Sequence, residues 1–227
     1  MPEKVFFFVQ RAANLDRDEF ARRYLEEHAP LAMRHFRALR RYVVNIVERD
    51  PETDPLVPAD GISEMWFDSL EDFTDAERLY DSPEGAAKVI EQSASVFGGV
   101  SAYHVDGTVQ RDYERTWPLG ERSPGTKLLG PLRRLDGLTK EQFVEHWRGT
   151  HARLALEHVL GIGRYVTNVV RAPLIPGSPE FDGIVEVSYL EKRRFATPES
   201  EAIMQADTAS FLIKPRSYSV GEYVLRE

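Results

Sequence analysis

The 227-residue chain has no cysteine, which rules out disulfides, thiolate metal ligands and a thiol nucleophile and leaves the redox compartment open. It has no excess of basic charge: 29 lysines and arginines face 37 acids, a formal net charge of −8. Nucleic acid and anionic membrane are therefore not expected as partners. Its apolar runs fall short of the ~18 residues a membrane helix needs. Met1-Pro2-Glu3-Lys4 lacks the form of a signal peptide, so a soluble, cytoplasmic protein is expected. There is no Walker pattern and no dinucleotide fingerprint, because Gly161-Ile162-Gly163 is followed by Val166 where a third glycine would stand. His28 and His35 are seven residues apart, as are His151 and His158, which is not the spacing of a helical metal pair; no metal and no cofactor are expected. What remains is a globular composition, 42% hydrophobic and 29% charged, in a chain long enough for two domains of roughly 100 to 150 residues.

The sequence repeats. A shift of 123 aligns Leu15 to Val47 with Leu138 to Val170 without a gap, matching His28 with His151, His35 with His158, Arg41 with Arg164, Tyr42 with Tyr165 and Asn45 with Asn168. At a shift of 122, Asp60-Gly61-Ile62 meets Asp182-Gly183-Ile184, and Glu64 meets Glu186. At 115, Pro83-Glu84 meets Pro198-Glu199, and Tyr103, Val105, Val109 and Arg111 meet Tyr218, Val220, Val224 and Arg226. Collinear blocks of this kind define two fused copies, residues 1–114 and 126–227, joined by a Pro- and Gly-bearing linker over 115–125.

Each copy reads β-α-β-β-α-β. Strands are expected at Val5 to Gln10, Tyr42 to Val47, Ile62 to Phe67 and Ser101 to Gln110, with counterparts in the second copy. The first helix of each copy opens on a capping-box pattern, Asp16 with Glu19 and Thr139 with Gln142. The expected class is α+β: two ferredoxin-like modules whose antiparallel sheets pack as a pseudo-dimeric α/β barrel.

The motif Phe143-x3-Trp147-Arg148-x2-His151-Ala152-x-Leu154-Ala155, followed by Gly163-Arg164-Tyr165-Val166-x-Asn168, resembles the EthD domain of the dimeric α/β-barrel superfamily. Copy one carries it as Phe20-x3-Tyr24-x3-His28-Ala29-Pro30-Leu31-Ala32 and Arg41-Tyr42-Val43-x-Asn45, departing at Leu25, where copy two has Arg148. The resemblance implies a barrel that single-copy relatives complete by dimerising. It also implies membership of a superfamily of polyketide cyclases, anthrone-type dehydratases and oxygenases, and lactone isomerases. In a tandem chain the fused pair closes the barrel, as a monomer with an internal pseudo-dimer or as a homodimer of such chains.

Helical spacing stacks Phe20, Tyr24, His28, Leu31 and His35 on one face, and Phe143, Trp147, His151, Leu154 and His158 on its counterpart. Both central histidines then point into apolar space, where core packing and catalysis compete as readings. Pro30 interrupts the first helix and Gly149-Thr150 the second, so free amides at a helix break would neighbour His28 and His151. On the next strand Arg41, Val43 and Asn45 face one side, and Tyr42, Val44 and Ile46 the other. Glu64 and Glu186 sit mid-strand, either as partners of Arg41 and Arg164 or as acid/base groups. Tyr24, Trp147 and Trp66 are large aromatics that could pack or stack on a planar substrate. His104 and His146 have no repeat counterpart and read as surface residues.

The leading expectation is a cofactor-independent enzyme acting on a small apolar carbonyl or phenolic compound by dehydration, cyclisation or isomerisation, a lyase- or isomerase-type reaction. His28 or His151 would abstract a proton, Asn45 or Asn168 and the helix-break amides would hold the oxyanion, and Glu64 or Glu186 would return the proton. His35, His158 and the aromatics would line the substrate site. The alternatives are a cofactor-free oxygenase of activated phenols and a non-catalytic small-molecule binding or accessory protein.

Overall fold

The computed structural model describes residues 2–51 and 55–227. In the first half, β1 (Glu3–Arg11) leads to a helix that runs from α1 (Arg17–Arg23) through a π-helical turn (Tyr24–His28) into α2 (Ala29–His35). Then follow β2 (Arg41–Arg49), β3 (Gly61–Phe67), the short α3 (Glu71–Thr74) and α4 (Ala76–Leu79), α5 (Pro83–Val96) and β4 (Phe97–Arg111). The second half repeats this with β5 (Thr126–Leu132), α6 (Lys140–Glu145), a π-helical turn (His146–His151), α7 (Ala152–His158), β6 (Val159–Pro173), β7 (Gly183–Phe195), α8 (Pro198–Phe211) and β8 (Tyr218–Arg226). The expected order of elements is realised in both copies. β6 and β7 extend beyond the expected strands, pairing Val159 with Phe195 and Leu160 with Arg194.

All eight strands join edge to edge, antiparallel, in one closed barrel of order β1-β3-β2-β8-β5-β7-β6-β4. The two sheets therefore share seams as well as an interior: β2 pairs with β8, and β4 with β6. Closure leaves no free strand edge. It also buries both faces of most strands over their central residues, so alternate residues enter two different cores. One set, including Phe6, Phe8, Ile62, Tyr103, Leu129 and Ile184, fills the barrel. The other set packs outward under the helices, as Val5, Tyr42, Val44 and Phe67 do against Phe20, Tyr24, Ala29 and Ala32. Burying an aromatic or branched side chain is worth about 1.5–3 kcal/mol, and Trp147, Tyr24, Tyr165, Phe20 and Phe143 are all buried in these outer cores.

The helix starts are as expected, with one difference. Thr139 and Gln142 form the complete reciprocal box. Asp16 accepts from the Glu19 amide at 2.8 Å, but the Glu19 carboxylate turns to Arg22 instead. The expected helix breaks are corrected: neither helix is interrupted. The amide of Ala29 reaches the carbonyl of Tyr24, and that of Ala152 reaches Trp147, so each helix widens through one turn closed five residues back. Pro30 enters as the second residue of α2, directly after the widened turn. The amides beside His28 and His151 are thus used within the helix rather than offered to a ligand. Among the described residues, no helix is long and apolar enough to cross a membrane.

Candidate active site

Trp147 and His151 project from the second π turn towards the outer face of β6 and β7. Trp147 sits against Gly183, where a Cβ would come within 2.5 Å of the indole, so this position of β7 needs a residue without a side chain. The indole nitrogen donates to the Tyr165 hydroxyl at 3.0 Å. Between this helix, the sheet and α8 lies a cavity of about 620 Å³, within the ~300–1,000 Å³ span of small-molecule sites. Its interior is apolar, with Leu128, Ile162, Val187 and Met204, whereas Arg193, Glu201, Gln205 and Lys214 stand at its rim.

His151 is on the wall of this cavity, and its Nδ1 lies 2.5 Å from Asp207 Oδ2. The other carboxylate oxygen of Asp207 is 2.9 Å from His146 Nε2. Two histidines five residues apart would diverge by about 140° on a regular α-helix; the wide turn brings both onto the one aspartate of α8. His146, expected at the surface, keeps a side chain that is 31% exposed and is also a partner of Asp207. Burial lowers the His151 pKa below its ordinary value, against the opposing pull of Asp207, so the ring is neutral at pH 7. With Nδ1–H donating to the carboxylate, Nε2 keeps its lone pair. No described residue bonds that atom.

The first half has the same helix without the same chemistry. Phe97 packs edge-on against His28 at 4.7 Å and against Tyr24 at 5.1 Å between ring centroids; its counterpart Leu212 lines the cavity of the second half. The position of Asp207 is taken by Gln92, which donates to Glu27. His28 Nδ1 is buried without a hydrogen-bond partner, and burial pushes its pKa down to about 4. His28 is thus packed among aromatic side chains, 5% exposed.

The expected convergence of histidine, asparagine and glutamate is corrected. Asn45, Asn168, Glu64 and Glu186 face the barrel interior, on the opposite side of the sheet from His28 and His151. Asn45 Nδ2 donates to the Ile62 carbonyl at 2.9 Å and to Glu64 at 3.0 Å, and Asn168 Nδ2 makes the equivalent bonds to Ile184 and Glu186. Glu64 and Glu186 are 0% and 1% exposed. Their main partners are two buried lysines: Lys4 binds Glu64 at 2.7 Å and Glu186 at 2.8 Å, and Lys127 binds Glu64 at 2.7 Å and Glu222 at 2.5 Å; Glu186 also takes Arg164 at 3.2 Å, the pairing expected from the sequence, whereas Glu64 makes no such bond to Arg41. Burial raises both glutamates, yet the lysine charges outweigh it and hold both carboxyls below the ordinary range. Glutamates held this way are permanent anions at pH 7, unsuited to returning a proton. Glu64, Glu186 and Glu222 together have the donor set of a cation site, but the Lys127 ammonium lies among them and already supplies the counter-charge.

The remaining residues serve elsewhere. His35 Nδ1 bonds Asp81 at 3.0 Å and His158 Nδ1 bonds Ser200 at 3.1 Å, each tying a helix end to the segment that opens α5 or α8. Neither lines the cavity. Trp66 lies at one mouth of the barrel, beneath Lys4 and Arg41 at 4.6 and 4.9 Å.

A closed barrel of two repeated halves, with an apolar cavity between helix and sheet, defines the chain as a single-chain dimeric α/β-barrel protein. The EthD domain profile matches residues 12–97 and 135–213, and the chain belongs to that family. An anthrone oxidase-like protein of known structure is similar over 100% of this chain and 94% of its own, with a TM-score of 0.60 at 9% identity. A Fusobacterium nucleatum protein carrying a provisional monooxygenase name gives 0.57 at 10% identity, over 99% and 93% of the two chains. A Lactobacillus acidophilus protein with a similar provisional name gives 0.52 at 12%, over 99% and 97%. These identities speak to fold alone. No curated protein sequence matches the chain.

Proposed function

We propose that the chain is an enzyme that binds a small, mainly apolar molecule in the cavity of its second half and removes a proton from it through His151. The observation that carries this reading is the 2.5 Å contact between His151 Nδ1 and Asp207 on the wall of that cavity. Asp207 fixes the tautomer with Nε2 free and stabilises the imidazolium that forms when the proton arrives. His146 holds the second oxygen of Asp207, so the carboxylate cannot swing away. The apolar walls suit a ring system, and an acidic C–H beside a carbonyl or a phenolic O–H is within the reach of a neutral imidazole. The anion so formed would eliminate, cyclise or isomerise. Reaction of that anion with dioxygen is the second reading, favoured by the names of the anthrone oxidase-like and monooxygenase-named relatives; oxygen uptake during turnover separates the two.

The test is deuterium exchange into a panel of aryl ketones and phenols, followed by NMR in D2O. Wild-type protein should accelerate exchange at the activated position for at least one member. His151→Gln, which keeps the side-chain volume, should lose about 100-fold or more of that rate with its melting temperature unchanged. Equal rates in the two proteins would refute the assignment.

A further inference from the structure

Across the pseudo-twofold axis the two sides of the interior charge network differ at the β2–β8 and β4–β6 seams. On β8, Glu222 stands opposite Asn45 of β2 and gives Lys127 a carboxylate at 2.5 Å. The counterpart on β4 is Gly107, opposite Asn168 of β6. Where the glutamate would be, a cleft of about 760 Å³ opens at the barrel mouth, bordered by Lys4, Arg41, Trp66, Gly107, Arg164 and Asn168.

Within this cleft one cation has no acceptor. Arg164 is held by Glu186 at 3.2 Å and Asp112 at 2.6 Å. Its counterpart Arg41 forms no hydrogen bond or ion pair among the described residues, and its Nε is buried without a partner. The counterpart of Asp112 is Glu227, which is bidentate on Arg115 at 3.1 and 2.8 Å and feels the Arg41 charge without bonding it. The other charges are matched. Lys4 is satisfied by Glu64, Glu186 and Asn168; Arg171 pairs with Asp106, Arg40 with Asp68 and His104 with Glu3. A buried guanidinium edge without an acceptor is costly, and a carboxylate fits its fork.

We propose that the barrel-mouth cleft is a binding site for a small-molecule carboxylate. The ligand carboxylate occupies the space that Glu222 fills on the opposite side of the barrel and takes the donors of Arg41. Its apolar body lies along Val105, Val109 and Val166, with Trp66 at the edge. The acids at the rim, Glu3, Asp106 and Glu227, favour a monoanion over a phosphate-like dianion. The site faces the barrel interior, across the sheet from His151, and is independent of the chemistry proposed there.

Calorimetric titration of the full chain with benzoate, octanoate and the neutral isostere benzamide tests this. At least one carboxylate should bind, with benzamide about 10-fold weaker or more. Arg41→Gln should weaken the carboxylate by about 10-fold, and His151→Gln should leave its affinity as in wild type. Gly107→Glu, which builds the missing carboxylate into the chain, should abolish binding. Its Cβ would meet Asn168 Oδ1 at 3.0 Å, so if that variant fails to fold, Arg41→Gln decides. No binding of either carboxylate at millimolar concentration overturns the proposal. So does equal binding of benzoate and benzamide, an unchanged affinity in Arg41→Gln, or a loss confined to His151→Gln.

Discussion

Replacing Lys127 by methionine keeps most of the aliphatic stem and removes the ammonium that lies among three carboxylates. One oxygen from each of Glu64, Glu186 and Glu222 lies within 4.8 Å of the other two. At an effective dielectric of ~20, two unit charges at that distance repel by about 3.5 kcal/mol. Three such pairs would consume most of the ~5–15 kcal/mol that holds a domain folded, even with Lys4 still bound to two of the acids. The folded variant therefore takes up one proton instead. Holding a glutamate of ordinary pKa protonated at pH 7 costs about 3.7 kcal/mol, which is the expected loss of stability. The cost shrinks by about 1.4 kcal/mol for each pH unit towards the ordinary glutamate range. In the wild type, Glu64 and Glu186 are held below that range, so their contribution is complete above it and lost only at lower pH. The slope between pH 7 and 5 thus belongs to the variant. Urea denaturation at pH 7, 6 and 5 is the assay, since guanidinium salt would screen the charges. A deficit of equal size at all three pH values, or one below about 1 kcal/mol, would refute the reasoning.

Three further outcomes follow from the site and its surroundings. Asp207→Asn should remain folded, lower the His151 pKa further by removing the charge that opposes burial, and slow turnover by about 100-fold; imidazole NMR titration reads the first effect directly. His28 has a folded pKa of about 4, so the unfolded chain protonates it first as pH falls, and stability drains away between about pH 6.5 and 4. His28→Leu should accordingly match the wild type near pH 7 and exceed it by about 2 kcal/mol at pH 5, measured by urea denaturation; a constant difference would count against the buried neutral ring. Gly183→Ala should cost about 1–3 kcal/mol by driving a methyl group into the Trp147 indole, and more than Gly61→Ala, whose added Cβ would meet Tyr24 at 3.0 Å; thermal melts of the pair test the order.

The repeat made the order of elements readable, because duplicated punctuation such as Asp16 and Thr139 marks the same helix start twice. Strand parity was readable too: Asn45 does face away from Tyr42 and Val44. What parity could not say was which core each face enters. In a closed barrel both sides of a strand are buried, and the apolar neighbours of His151 and of Glu186 look alike in sequence. Lys4 and Lys127 left a signal, standing 123 residues apart like the histidines, but they precede the aligned block that starts at Leu15. Asp207 left none in the repeat, since its counterpart is Gln92 and duplication draws the eye to matched pairs. The five-residue step from His146 to His151 was hidden by the assumption of a regular helix, and only a π turn makes those two residues neighbours.

Fusing the two halves into one chain has a bookkeeping consequence for symmetry. A homodimer must write every residue twice, so a glutamate at one seam is a glutamate at both, and a gap on one side of the barrel is a gap on the other. Here the β2–β8 seam carries Glu222 while the β4–β6 seam carries Gly107, and one helix keeps an aspartate where the other has glutamine. The covalent link allows a filled seam and an open one, a packed histidine and a poised one, within a single barrel. Ligands of either site should accordingly saturate at one per barrel, where a symmetric two-chain barrel of the same architecture would take two.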